Sequence, residues 1–120
     1  MTTYEINLSI IPELEIIETV YLACGVEYNE LNLLLRKEKC VMAKFISVFL
    51  LEQKKTKRKK ICEFLGYKDH TTLIHALKVI DFRLKHFQEY KISFMAAMEM
   101  LELRILKKQQ PIIYSYQSIT

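Results

Sequence analysis

Glycine and proline are nearly missing from this chain, with two of each in 120 residues. Tight turns lean on both, so a protein of many short strands joined by hairpins is disfavoured and long helices are favoured. Cysteine is sparse and odd in number: Cys24, Cys40 and Cys62 are widely spaced and form no CxxC pair. They read as reduced thiols buried in helices of a cytoplasmic protein, not as a disulfide framework. The three histidines (His70, His75 and His86) never repeat at i, i+4, so no metal site is expected. The start of the chain lacks the basic residues and long apolar run of a signal peptide. The most apolar stretch, 40–51, is broken by Lys44 and is too short to span a bilayer, so no membrane is expected either.

Basic residues are missing from one region altogether. Residues 1–35 hold six acids and no lysine or arginine, whereas 36–85 hold fourteen bases and five acids. The overall charge of +4 hides this asymmetry. A basic middle points to an anionic partner such as nucleic acid; the competing explanation is a solvated surface of uneven charge. At 14.3 kDa, with 51% hydrophobic and 27% charged residues, the chain has the balance of a single soluble globular domain.

Apolar spacing organises the rest. "IPELEIIETVYLACG" places Leu14, Ile17, Val20, Tyr21 and Cys24 at helical intervals, with Gly25 as a stop. A connection follows, turning from acidic to basic at Arg36. A helix is expected at about 38–54; it is apolar almost all round, so it belongs at the centre of a bundle. Six of the seven residues 54–60 are basic. A short helix at about 57–65, using Ile61, Phe64 and Leu65, ends at Gly66. A longer one at about 70–87 carries Leu73, Ala76, Leu77, Ile80, Leu84 and Phe87 on one face. A last helix at about 91–108 presents Phe94, Met95, Met98, Leu101 and Ile105, its methionines filling the core. The tail 109–120 is expected to lie over the core or to form a short extended piece. The expectation is therefore an all-α small helical bundle in which the helices at 57–65 and 70–87, with a turn at Gly66–Lys68, make a helix-turn-helix.

The start of the second of these helices is unusual. "GYKDHTTLIHALKVI" crowds polar side chains into one helical turn, where a helix needs a single cap. At about 100° per residue, the apolar stripe centres opposite Thr71, His75 and Lys78. Asp69, His70, Thr71 and Thr72 therefore face outward at the positive end of a helix. A carboxylate can accept from a cytosine or adenine amino group, a threonine methyl can touch a thymine methyl, and hydroxyls and amides can hold phosphate. The plain alternative is that Asp69 or Thr71 caps the helix and the others are merely exposed.

The same stretch resembles the signature of the C-terminal DNA-binding domain (domain IV) of the DnaA chromosomal replication initiators. The matching residues are Gly66, Lys68, Asp69, His70, Thr71, Thr72, Leu73, Ile74, His75 and Ala76. The likeness extends over about 13–105 and implies a fold of the Trp repressor or DnaA domain IV kind. It also implies that Asp69, His70, Thr71 and Thr72 enter a major groove with His75 near the backbone. Either Arg36 or Lys37 would stand where the family's basic loop sends an arginine into the minor groove. The chain departs from the family in three places. Ala43-Lys44 replaces an Arg-Gln pair, leaving Lys44 for phosphate; Cys62 replaces a small glycine; and 54–60 is more basic, with Lys57 and Lys60 as phosphate contacts.

Two glycines cannot supply a GxxxxGK[ST] loop, so no nucleotide or other cofactor is expected and the chain resembles the DNA-binding domain standing alone. No serine has a Gly-x-Ser-x-Gly context, and Asp69–His70 has no nucleophile or second carboxylate at a recognisable spacing, so an enzyme is not expected. The expected partner is double-stranded DNA, in a cytoplasmic, nucleoid-associated protein of replication initiation or its regulation. The rival is a protein-interaction module or transcriptional regulator with a repurposed helix-turn-helix. It would use the acidic first helix or the Met-rich last one to hold a protein partner.

Overall fold

The computed structural model describes residues 6–27 and 33–109. A 3-10 turn, Leu8–Ile10, precedes α1 (Glu13–Ala23), α2 (Leu33–Gln53), α3 (Arg58–Leu65), α4 (His70–His86) and α5 (Gln88–Gln109). Among the described residues there is no strand, and the fold is all-α as expected. The extended piece expected in the tail falls at 110–120, outside the described residues.

α2 is the central element, packed against α1, α3 and α4, while α5 closes the bundle against α1 and α4. Ile16 and Val20 of α1, Ile46 and Leu51 of α2, Leu73 and Ile80 of α4, and Leu101 of α5 are all fully buried. No helix among the described residues is long and apolar enough to cross a membrane.

Three sequence expectations need correction. The inward face of α1 is shifted: Leu14 is 59% exposed, while Ile16 and Thr19 join the expected Val20 and Cys24 in the core. Thr19 can sit in the core because its hydroxyl donates to the Glu15 carbonyl at 2.7 Å. α2 begins at Leu33, about one and a half turns before the expected start. The residues there (Leu, Arg, Lys and Glu) are all good helix formers, and nothing interrupts them. Arg36 and Lys37 therefore lie on a helix and not in a basic loop. α5 begins at Gln88, leaving Phe87 in extended conformation as the sole break after α4. Its Met95 is 47% exposed, unlike the buried Met98.

The ends of the bundle are tied by polar contacts across long sequence separations. Glu15 pairs with Arg104 at 3.3 Å and with Lys108 at 3.2 Å, fastening α1 to the last turns of α5. Thr56 donates to Glu13 at 3.2 Å. The two carboxylates in the first turn of α1 are thus engaged within the chain.

Candidate nucleic-acid interface

The α3–turn–α4 unit is set by its local chemistry. Gly66 ends α3 in the left-handed region (φ 75°, ψ 23°), and its N–H returns to the Cys62 carbonyl. The Tyr67 N–H reaches the same carbonyl at 3.0 Å. A Cβ on Gly66 would meet nothing within 4 Å, so glycine is needed for its backbone freedom and not for space. The Cys62 thiol donates to the Asp69 carbonyl at 3.7 Å and ties α3 to the start of α4. This is a use for the cysteine where the resembled family has a small residue. Tyr67 lies half-buried in the turn, with Lys44 of α2 5.9 Å from its ring centre. Among the described residues its hydroxyl is buried without a hydrogen-bond partner, and that burial, followed by the influence of Cys62, pushes its pKa up.

Asp69 is the N-cap of α4. Its Oδ1 accepts from the Thr72 N–H at 3.0 Å and from the Thr72 hydroxyl at 3.1 Å. These two bonds, the amide first, hold its carboxyl below the usual aspartate range. The capping alternative is therefore realised, and it occupies one carboxylate oxygen. A carboxylate offers about four acceptor positions, so Oδ2 keeps capacity for a further donor. Lys68, Asp69, His70, Thr71, Thr72, His75 and Lys78 are all exposed on the turn and the N-terminal half of α4.

The cations divide into groups. Lys57 and Lys60 lie exposed at the start of α3, beside Lys59. Two members of the 54–60 run are used inside the chain. Lys54 donates to the carbonyls of Leu8 (3.2 Å) and Ser9 (3.4 Å), and Arg58 pairs with Glu52 at 3.2 Å. The exposed lysines of the run without such a contact among the described residues are thus fewer than its sequence suggests: Lys55, Lys57, Lys59 and Lys60. Half-buried Lys44 stands by the turn. Arg36 and Lys37 stand in the first turns of α2. Lys37 lines a groove with Arg83, Phe87 and Tyr90 at the opposite end of α4. At 1.5 Å per residue, Asp69 and Arg83 are roughly 21 Å apart along the axis.

Sequence reading overlooked Tyr67 and Arg83. Tyr67 was legible as the one aromatic inside the turn. Arg83 was not singled out because its rings, Phe45 of α2, Phe87 at the break and Tyr90 of α5, gather around it only in the folded chain. Among the described residues, no three His, Cys, Asp or Glu side chains come together to hold a metal ion. What the site offers chemically is a helix N-terminus with short hydrogen-bonding side chains, flanked by unpaired lysines. Such a surface has the chemistry to meet phosphate at its edges and base edges at its centre.

Residues 14–80, more than half of the chain, match the family model described as the bacterial dnaA protein helix-turn-helix. No curated protein and no solved structure matches the chain.

Proposed function

The chain belongs to the bacterial DnaA helix-turn-helix family, a DNA-binding domain family, and from that premise we propose that it reads the sequence of double-stranded DNA with the N-terminal half of α4. The supporting observation is the exposed run Asp69, His70, Thr71 and Thr72 at the start of a helix held by the turn at Gly66. In this reading Asp69 Oδ2 accepts from a base amino group, and the Thr71 methyl and hydroxyl meet a base edge. His70 and His75 hold the adjoining sugar-phosphate strand, while Thr72, whose N–H and hydroxyl both donate to Asp69 Oδ1, fixes that carboxylate for reading. Lys57, Lys60, Lys68, Lys78 and Lys44 supply charge toward phosphate without reading sequence. Arg36 and Lys37 stand in the first turns of α2, and base reading does not depend on them.

The biological role that fits is a nucleoid-associated binder of initiator-type boxes, acting in replication initiation or its regulation. It would mark such sites or compete for them, and needs no catalysis or nucleotide of its own. In-vitro selection of bound duplexes from a random pool, followed by sequencing, tests the proposal. A consensus that narrows over successive rounds is expected, and a pool that stays random would overturn sequence reading.

A further inference from the structure

A groove of about 690 Å³ opens between the first half of α2, the end of α4 and the start of α5, away from the reading tip. Leu34, Val41, Phe87 and Ile92 line it, and each is itself substantially exposed. Among its charged lining residues, Lys37, Lys39 and Arg83 outnumber Glu38 and Glu89. Arg83 is held in place by aromatic neighbours. Its guanidinium lies 5.3 Å from the ring centres of Phe45 and Tyr90 and 5.9 Å from that of Phe87. One nitrogen donates to the Tyr90 hydroxyl at 2.6 Å. Among the described residues no carboxylate meets Arg83. An arginine offers five N–H donors in a fixed fork, so most of them remain for an acidic partner.

The chain also carries the complementary shape. On the outer side of α1, Leu14 and Leu22 are 59% and 60% exposed, and exposed Glu18 lies between them. Positions four apart on a helix stack into one ridge, here roughly 12 Å long. Unlike Glu13 and Glu15, Glu18 has no partner among the described residues. One surface is thus apolar with an unmatched guanidinium, and the other is apolar with an unmatched carboxylate. We infer that the α1 ridge of one copy docks in the α2–α4–α5 groove of a second copy, with Glu18 meeting Arg83 and the leucines meeting the apolar walls.

Ridge and groove are different surfaces of one chain, so this contact is heterologous and runs head to tail. It extends into rows or rings and does not stop at two copies. The reading tip, roughly 21 Å from Arg83 along α4, stays open in such a row. Neighbouring copies could then occupy successive sites on one duplex.

The test uses the full chain without DNA, so its outcome is independent of whether the tip reads bases. Sedimentation equilibrium is measured from low to high micromolar concentration on wild type, Glu18→Lys, Arg83→Glu, and an equimolar mixture of the two variants. The wild-type average mass should climb past that of a dimer. Each variant alone should associate at least about tenfold more weakly, as expected for truncating one side of a docked charge pair. The mixture should regain association, because each variant supplies the charge the other now lacks. If Arg83→Glu fails to fold, Ile92→Asp replaces it as the groove-side variant. It is exposed, and alone it should also weaken association. A wild type that stays monomeric, a plateau at dimer, or a Glu18→Lys variant that associates like wild type would overturn the inference.

Discussion

Asp69 has two duties in this account, and a pair of substitutions separates them. The cap uses Oδ1, through bonds of 3.0 and 3.1 Å from the amide and hydroxyl of Thr72. Base reading uses the acceptor positions on Oδ2. Asparagine is as good an N-cap as aspartate, but its outward atom is a donor where the carboxylate was an acceptor. Asp69→Asn should therefore keep the melting temperature near wild type. It should also lower the ratio of affinities for the best selected duplex and random duplex by roughly tenfold to a hundredfold, the range for one well-placed base contact. Asp69→Ala should lose the same ratio and also several degrees of Tm. Binding to random duplex should hold steady or strengthen slightly, since a carboxylate repels phosphate. Circular dichroism melts and titrations on both duplexes supply the numbers. The pH dependence gives a third readout. The folded-state pKa of Asp69 lies below its unfolded value. The capping contribution is therefore full above the ordinary aspartate range and is lost as pH falls through the lower folded value. That acid-labile component should vanish in Asp69→Asn. An unchanged affinity ratio in Asp69→Asn would reduce Asp69 to a cap and refute base reading by this residue.

Charge reversal at Lys57→Glu with Lys60→Glu should weaken binding to selected and random duplexes alike and lower the salt slope by about 2, roughly 0.9 for each phosphate no longer neutralised; a changed sequence preference would contradict their assignment to phosphate. Thiol labelling should sort the cysteines. Cys40 is only half-buried and should react first, correcting the expectation that all three are shielded. Burial, partly offset by a hydrogen bond with Ser93, pushes the Cys24 thiol up to about 11, so at neutral pH it holds about a hundredfold less thiolate than an ordinary cysteine and should label slowest. Gly66→Ala should cost about 1 kcal/mol, because a left-handed φ is strained for any residue with a Cβ, and no new contact offsets it; urea unfolding measures this, and a neutral result would contradict the turn geometry.

The helix-turn-helix was legible because its signals are local. Gly66 as a stop, Asp69 as a start and Leu73, Ala76 and Ile80 as the inner face all lie within fifteen residues. The phase of α1 was legible only in part, for a physical reason. Of the expected Leu14, Ile17, Val20, Tyr21 and Cys24, only Leu14 turns toward solvent, and the centre of the stripe shifts to Ile16, Thr19 and Val20, where the Thr19 hydroxyl is satisfied by its own helix. The early start of α2 is hidden by the change of charge at Arg36, which looks like a boundary while the backbone runs on as helix. At the site, the exposed tip could be read from periodicity and from the family resemblance. The division among the cations could not. Lys54 finds its partner 46 residues away at Leu8, and Arg83 is ringed by Phe45 of α2, Tyr90 of α5 and Phe87 between α4 and α5. Pairings of that kind exist only once the chain has folded.

The central claim is that this domain discriminates among duplex sequences, and one ratio tests it most directly. The affinity for the duplex that emerges from selection is compared with that for a scrambled duplex of equal length, at one fixed salt concentration near physiological. A preference of about a hundredfold or more is expected, the product of a few base contacts at the tip of α4. A ratio near one, with both affinities falling equally as salt rises, would show a basic surface that holds phosphate and reads nothing.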